Sequence, residues 1–95
     1  MRMIRTFADR ATEACFICGT CPAQWRSFAK VARRKLDMLD AAVKLQDLRS
    51  PPGNRLEAMK GDRRGQWSIR INDQWRVCFR WTAEGPTDVE IVDYH

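Results

Sequence analysis

The chain has a single histidine, His95, and it is the last residue. A Ser/His/Asp set and a His-Glu metal motif each need a histidine beside its partners inside the fold, so neither can be assembled. Glycine is sparse as well, five residues with no phosphate-cradling cluster among them. No apolar run approaches the ~18 residues of a membrane span. Asp9 and Arg10 interrupt any signal-like opening, so the expected location is the cytoplasm, with no membrane partner. Internal repeats and low-complexity tracts are absent too, which excludes solenoids and leaves a single domain over residues 1–95.

What the chain does have is positive charge. Its 17 Lys and Arg against 12 Asp and Glu give a net charge of +5 and a pI near 9.4. That balance favours a polyanionic partner, nucleic acid or an acidic protein segment. A chain of 95 residues buries roughly 60 to 70% of its unfolded surface, so the core should be a single layer between helix and sheet.

Helical signals come first. Met3 to Phe7 alternates weakly and reads as an opening strand paired into the sheet. Asp9 can cap a helix over Arg10 to Cys18, with Gly19 as its stop. From Thr20–Pro22 to about Ala42, the residues Trp25, Phe28, Ala29, Ala32, Leu36, Leu39 and Val43 keep steps of three and four and predict the main packing helix. Its other side carries Arg26, Lys30, Arg33, Arg34 and Asp37, a solvated face or a ridge that tracks phosphates. One further turn is expected over Lys44 to Leu48, and Ser50-Pro51-Pro52-Gly53-Asn54 makes a fixed loop.

Strand signals follow. Arg55 to Met59 reads as the first strand of the main sheet and Lys60 to Gly65 as a turn. In the next strand Trp67, Ile69 and Ile71 alternate with Ser68 and Arg70; in the one after, Trp75, Val77, Phe79 and Trp81 alternate with Arg76, Cys78 and Arg80. A two-residue loop at Asn72-Asp73 would mix the two faces, so the loop must be odd in length. With Ile71 to Asp73 as the loop, Trp75 stands opposite Ile69 and Arg76 opposite Ser68. One face is then oily and the other carries Arg70, Arg76 and Arg80. Thr87 to Tyr94 closes the sheet, and helices followed by antiparallel strands give the α+β class.

Cys15, Cys18 and Cys21 form CxxCxxC, while Cys78 lies among the cationic-face residues. A four-ligand zinc site would require Cys78 to cross the sheet. The expectation is therefore reduced thiols acting as small apolar residues, no metal and no cofactor; a disulfide is the least expected state without a secretory signal.

The arginine face suits phosphate. Cutting RNA without a metal requires a base for the 2′-hydroxyl, an acid for the departing 5′-oxygen and fixed positive charge on the phosphoryl oxygens. Arg76 is the first choice for that charge, because a guanidinium binds two oxygens and stays protonated. Lys60 could add charge, and Tyr94 and His95 are the candidates for proton transfer. Arg63, Arg64, Arg70 and Arg80 would hold the RNA backbone; the plain alternative is surface charge. Trp67, Trp75 and Trp81 share the apolar parity and belong to the core rather than to a base-stacking platform.

Taken in order, MIRTF at 3–7, RRKLDMLDAA at 33–42, PPGNRLEAMKGDR at 51–63, the stretch to Trp81 and the terminal DVEIVDYH resemble the HigB-type toxins of the RelE/ParE superfamily over nearly the whole chain. The resemblance implies a RelE-like fold, with two N-terminal helices packed on a mainly antiparallel sheet of four to five strands. It also implies a toxin of a type II toxin-antitoxin system, acting as a metal-independent, ribosome-dependent endoribonuclease that cuts messenger RNA in the decoding site and halts translation. The implied partners are the ribosome, its messenger and a HigA-like helix-turn-helix antitoxin, with operator DNA reached only through the antitoxin complex. By position, the family's functional lysine falls on Lys60, its phosphate-binding arginine on Arg76, and its terminal acid, tyrosine and histidine on Asp93, Tyr94 and His95. Glu57 stands where some relatives carry a histidine. The rival classes are a non-catalytic RNA- or ribosome-binding module and a gyrase poison like the ParE branch; a DNA-binding regulator is weaker, for want of a helix-turn-helix pattern.

Overall fold

The computed structural model describes residues 3–94. Asp9 accepts a hydrogen bond from the Thr12 backbone N–H at 2.7 Å and caps α1, Arg10–Ile17. The buried Thr12 hydroxyl accepts in turn from the Ile91 N–H at 3.0 Å, tying this two-turn helix to the last strand. Beyond Gly19, in the left-handed region at φ +74, the chain doubles back and joins Cys15 to Cys21 in a disulfide. The expectation of reduced thiols is overturned there. The turn brings the two Cα atoms within 4.3 Å, a proximity that CxxCxxC spacing alone does not reveal. Cys18 stays free and exposed, and Cys78 free and buried.

The second helix is not continuous from Thr20–Pro22. A 3-10 segment, Ala23–Phe28, precedes α2, Ala29–Ala41, and Phe28 breaks the helical run at φ −126, ψ 13. With three residues per turn, Trp25 and Phe28 fall on one side. Both reach Trp75, with ring centroids 6.2 and 5.2 Å away. The picture of two N-terminal helices packed on the sheet therefore gives way to one main helix, α2, with α1 a short flank. Because α2 ends at Ala41, Val43 is exposed instead of in the core. Asp40 accepts from the N–H groups of Met3 and Ile4 at 2.9 and 3.0 Å. With those donors engaged, the opening segment is not a strand: its ladder to the sheet shrinks to one parallel bridge, Phe7 to Val89, flanked by Arg5 N–H to Pro86 O and Ala8 N–H to Val89 O.

Among the described residues, four strands form an antiparallel meander in the order β1-β2-β3-β4, with β1 Glu57–Ala58, β2 Trp67–Arg70, β3 Trp75–Thr82 and β4 Gly85–Asp93. β1 is shorter than expected because Arg55 leaves the preceding 3-10 turn in the left-handed region, φ 46, ψ 57. The β2–β3 loop has the expected odd length but consists of Asn72 to Gln74, so the register moves by two residues: Ile69 faces Val77 and Arg70 faces Arg76. Asn72 causes the shift. Its side-chain oxygen accepts from the N–H groups of Gln74 and Trp75, both at 2.8 Å, forming an Asx turn that leaves Ile71 to bond Trp75. A shift of two preserves parity, so the faces stay unmixed.

The apolar face packs on α2. Ala32, Leu36 and Leu39 meet Ile69, Val77, Phe79, Val89 and Ile91, all at most 5% exposed. Trp67, Trp75 and Trp81 close the margins of this core, as their parity requires. No helix among the described residues is long and apolar enough to cross a membrane.

Leu36 is fully buried, so Leu36→Ala should lower unfolding stability by about 2–5 kcal/mol. Val43→Ala, at an exposed site, should stay within roughly 0.5 kcal/mol of the parent in the same urea titration.

Candidate active site

The other face of the sheet is cationic, and the register sets Arg70 directly across from Arg76. Like charges opposed on a sheet repel, so each needs a counter-ion. Arg76 donates through Nη1 to the Glu57 carboxylate and through Nη2 to the Arg55 carbonyl at 2.7 Å. Arg70 pairs with Asp73 and donates through Nε to Asn72 O at 3.2 Å. Further along, Arg80 pairs with Asp88 at 3.4 Å and Arg63 with Glu90 at 2.8 Å.

These pairs are not alike. The Arg76 side chain is 10% exposed against 53% for Glu57. The cation is thus held in place while its carboxylate has room to leave. Arg70–Asp73 shows the same asymmetry, and Arg63–Glu90 reverses it.

A cavity of about 330 Å³ opens on this face, lined by Arg55, Arg70, Asn72, Asp73, Arg76 and Tyr94. The Tyr94 ring centroid lies 5.8 Å from the Arg76 guanidinium carbon, within cation–π range. Tyr94 is anchored by its N–H to Gln74 O at 2.6 Å, and its side chain remains exposed. Asp93 ends β4 opposite Trp75 and accepts from the Gln74 amide at 3.0 Å.

Three of the candidates read from the sequence, Arg70, Arg76 and Tyr94, therefore gather at one cavity, with Asp93 beside them. Lys60, Arg63, Arg64 and Arg80 do not line it. Lys60 and Arg64 are exposed at either end of the 3-10 turn Gly61–Arg63, and Arg80 stands near Gly65. His95 lies outside the described residues. Arg55 was missed, along with Asn72 and Asp73. Its place after Pro51-Pro52-Gly53-Asn54, at the exit of a turn, was the available signal.

Burial pushes the Cys78 thiol up to about 11, partly offset by the nearby Arg63 guanidinium. Arg63 is itself raised by its hydrogen bond to Glu90. Together these groups shield an inert thiol. On α2, burial lowers the pKa of Lys35, and the charges of Arg34 and Arg70 lower it further.

Chemically, the cavity offers two guanidinium groups, a third at Arg55 and a phenol at its rim. Planar forks of this kind bind the oxygens of a phosphate. Fold and site together define a small basic domain with an arginine-lined cavity on one face of its sheet.

A family model described as the RelE-like toxin of type II toxin-antitoxin system HigB matches residues 7–95. The chain belongs to this family of HigB-like toxins. Toxin HigB-1 of Vibrio cholerae is 54% identical over 48 residues, 50% of this chain and 50% of that one. An uncharacterized protein of Haemophilus influenzae is 44% identical over 52 residues, 55% of this chain and 52% of its own. The chain thus aligns with about half the length of these two relatives. Endoribonuclease HigB of Proteus vulgaris is 26% identical over 93 residues, 98% of this chain and 100% of that one. A YoeB/ParE toxin from Agrobacterium tumefaciens shares the fold, with a TM-score of 0.51 and 20% identity over 97% of this chain and 96% of that chain.

At pH 7 a thiol of pKa about 11 is ionised to only about one part in 10⁴. Iodoacetamide should modify Cys18 in the native protein, reach Cys15 and Cys21 only after reduction, and reach Cys78 only after unfolding; peptide mass mapping reads all four.

Proposed function

We propose that this toxin is a ribosome-dependent endoribonuclease that cuts messenger RNA in the decoding site, and that Arg76 binds the scissile phosphate. One observation carries the reading: a nearly buried guanidinium, held from behind by the Arg55 carbonyl, faces a half-exposed carboxylate and borders a cavity with Tyr94 at its rim. The full-length likeness to a protein named Endoribonuclease HigB supports it.

In this reading a phosphodiester takes the place of the Glu57 carboxylate on Arg76. A base removes the proton of the 2′-hydroxyl, the 2′-oxygen attacks phosphorus, and the bond to the 5′-oxygen breaks. An acid protonates that leaving oxygen, giving a 2′,3′-cyclic phosphate and a 5′-hydroxyl. Tyr94 and His95 supply the two proton transfers, and Asp93 steadies the end of β4 that carries them. Charge that builds on the phosphoryl oxygens meets Arg76, a preorganised donor. No step calls for a metal. Arg70 and Arg55 hold the adjoining backbone, Arg64 and Arg80 add contacts along the strand, Lys60 adds charge, and Arg63 keeps its bond to Glu90. The partners in this reading are a HigA-like helix-turn-helix antitoxin, the ribosome with its messenger, and operator DNA through the antitoxin complex, all in the cytoplasm.

Primer extension on a defined messenger, with and without ribosomes, tests this. Cuts should appear only with ribosomes. Arg76→Ala should slow them by about 10²-fold or more, and Tyr94→Phe and deletion of His95 by about 10²- to 10⁴-fold each. Wild type that binds ribosomes and leaves the messenger whole would make the cavity a binding surface only. Loss of supercoiling by gyrase in its place would make the chain a gyrase poison.

A further inference from the structure

A lysine in the core is expensive. Lys35 sits on the core-facing side of α2, 9% exposed, between Ala32 and Leu39, where a methionine would pack without the cost of burying charge. Among the described residues no carboxylate pairs with it. Its partner is the amide of Asn54, whose Oδ1 accepts from Nζ at 2.5 Å.

Asn54 is itself wholly buried and fully used. Its Nδ2 donates to the carbonyls of Leu48 and Ser50 at 3.1 and 3.4 Å. One side chain thus closes the 48–54 loop on itself and, through Lys35, fastens that loop to the main helix. The next residue is Arg55, in the left-handed region, whose carbonyl receives Arg76 Nη2 at 2.7 Å. Two residues on stands Glu57, which holds Nη1. Both anchors of the Arg76 guanidinium therefore follow directly from Asn54 along the chain.

We propose that Lys35 is a positioning residue for the cleavage reaction: by pinning Asn54 it fixes where residues 55–57 lie, and hence where the Arg76 fork points. The inference rests on the nuclease reading for its consequence, but not for its geometry. The lowered pKa of Lys35, caused by burial and then by Arg34 and Arg70, accords with a charge kept against its own environment. Lys35 touches no substrate. It acts through the loop.

The test pairs a spectroscopic readout with a kinetic one, in ¹⁵N-labelled full-length protein held well below each variant's unfolding temperature. Because both Nη atoms of Arg76 are hydrogen-bonded, wild type should show slowed rotation and distinct Nη signals, assigned by their disappearance in Arg76→Lys. In Lys35→Met those signals should broaden or merge, kcat for ribosome-dependent cleavage should fall on the order of 10- to 100-fold with little change in KM, and Lys35→Arg, which restores an N–H donor, should recover much of both. Leu36→Ala, one residue away on α2, is the control for lost stability and should leave the Arg76 signals and kcat near wild type. If Lys35→Met fails to fold, Lys35→Gln decides: it keeps a polar end but, one bond shorter than lysine, cannot reach Asn54 Oδ1, and should disturb Arg76 in the same way. Unchanged Arg76 signals in the folded variant overturn the inference, whether or not cleavage falls, and so does an equal effect from Leu36→Ala. If wild type cleaves nothing, the nuclease reading fails alone, and the Nη signals still decide whether Lys35 orients Arg76.

Discussion

Two guanidinium groups, Arg70 and Arg76, stand opposite each other across β2 and β3, and the rest of the cationic face is arranged around that repulsion. Like charges directly opposed on a sheet are destabilising, and the margin of stability of a small domain leaves little room for that. The chain offsets this locally. Asp73 comes from the hairpin loop to Arg70, and Glu57 and the Arg55 carbonyl reach Arg76 from β1 and its approach, across β2. Each neutralising group thus also fixes backbone: the β2–β3 loop in one case, the approach to β1 in the other. The arginine-lined cavity and a stable sheet are satisfied by the same contacts.

The apolar face makes this affordable. Trp75 follows Gln74 at the start of β3 and packs edge-on against Trp25 and tilted against Phe28, while Val77 and Phe79 share the core with Leu36 and Leu39. Arg76 sits between two of these anchored residues, so its backbone is held on both sides by core packing. The 3-10 geometry before α2 serves the same end, because it turns Trp25 and Phe28 together onto Trp75. A continuous α-helix would have splayed them by about 60°.

Period-two alternation made the two faces of the sheet legible, and with them the shared side of Arg70, Arg76 and Arg80. It could not supply the register. Parity excludes an even loop but is blind to a shift of two, and only the Asn72 side chain, acting as a backbone mimic, decides between Ile71 and Asn72 as the first loop residue. Helical spacing failed differently. It marked Trp25 and Phe28 as buried, correctly, but three-residue spacing fits a 3-10 turn as well as an α-helix, so it could not show the break at Phe28. The same spacing carried Val43 into the core two residues after α2 had ended. Lys35 and Arg55 were invisible for a further reason. Their roles come from contacts 19 and 21 residues distant in the chain, Lys35 to Asn54 and Arg55 to Arg76, which no local pattern encodes. The disulfide belongs with them. A turn through the left-handed Gly19 makes Cys15 and Cys21 neighbours, and spacing of six residues describes equally well two thiols kept apart along a helix.

The ion pairs themselves sort the arginines. Where the guanidinium is more buried than its acid, as in Arg76–Glu57 and Arg70–Asp73, the cation is part of the framework and the acid is the more exposed member, which under the proposed function is the one a phosphate would replace. Arg63–Glu90 runs the other way, at 32% and 25% exposed. There the acid is the fixed member, opposite Cys78 on β4, and displacing it would uncover a buried thiol. Removing one partner of such a pair leaves the other desolvated and alone, a larger loss than the pair's own net strength. Arg63 is therefore better suited to sealing the cationic face than to giving up its partner for a ligand, and the exchangeable part of that face narrows to the cavity around Arg70 and Arg76.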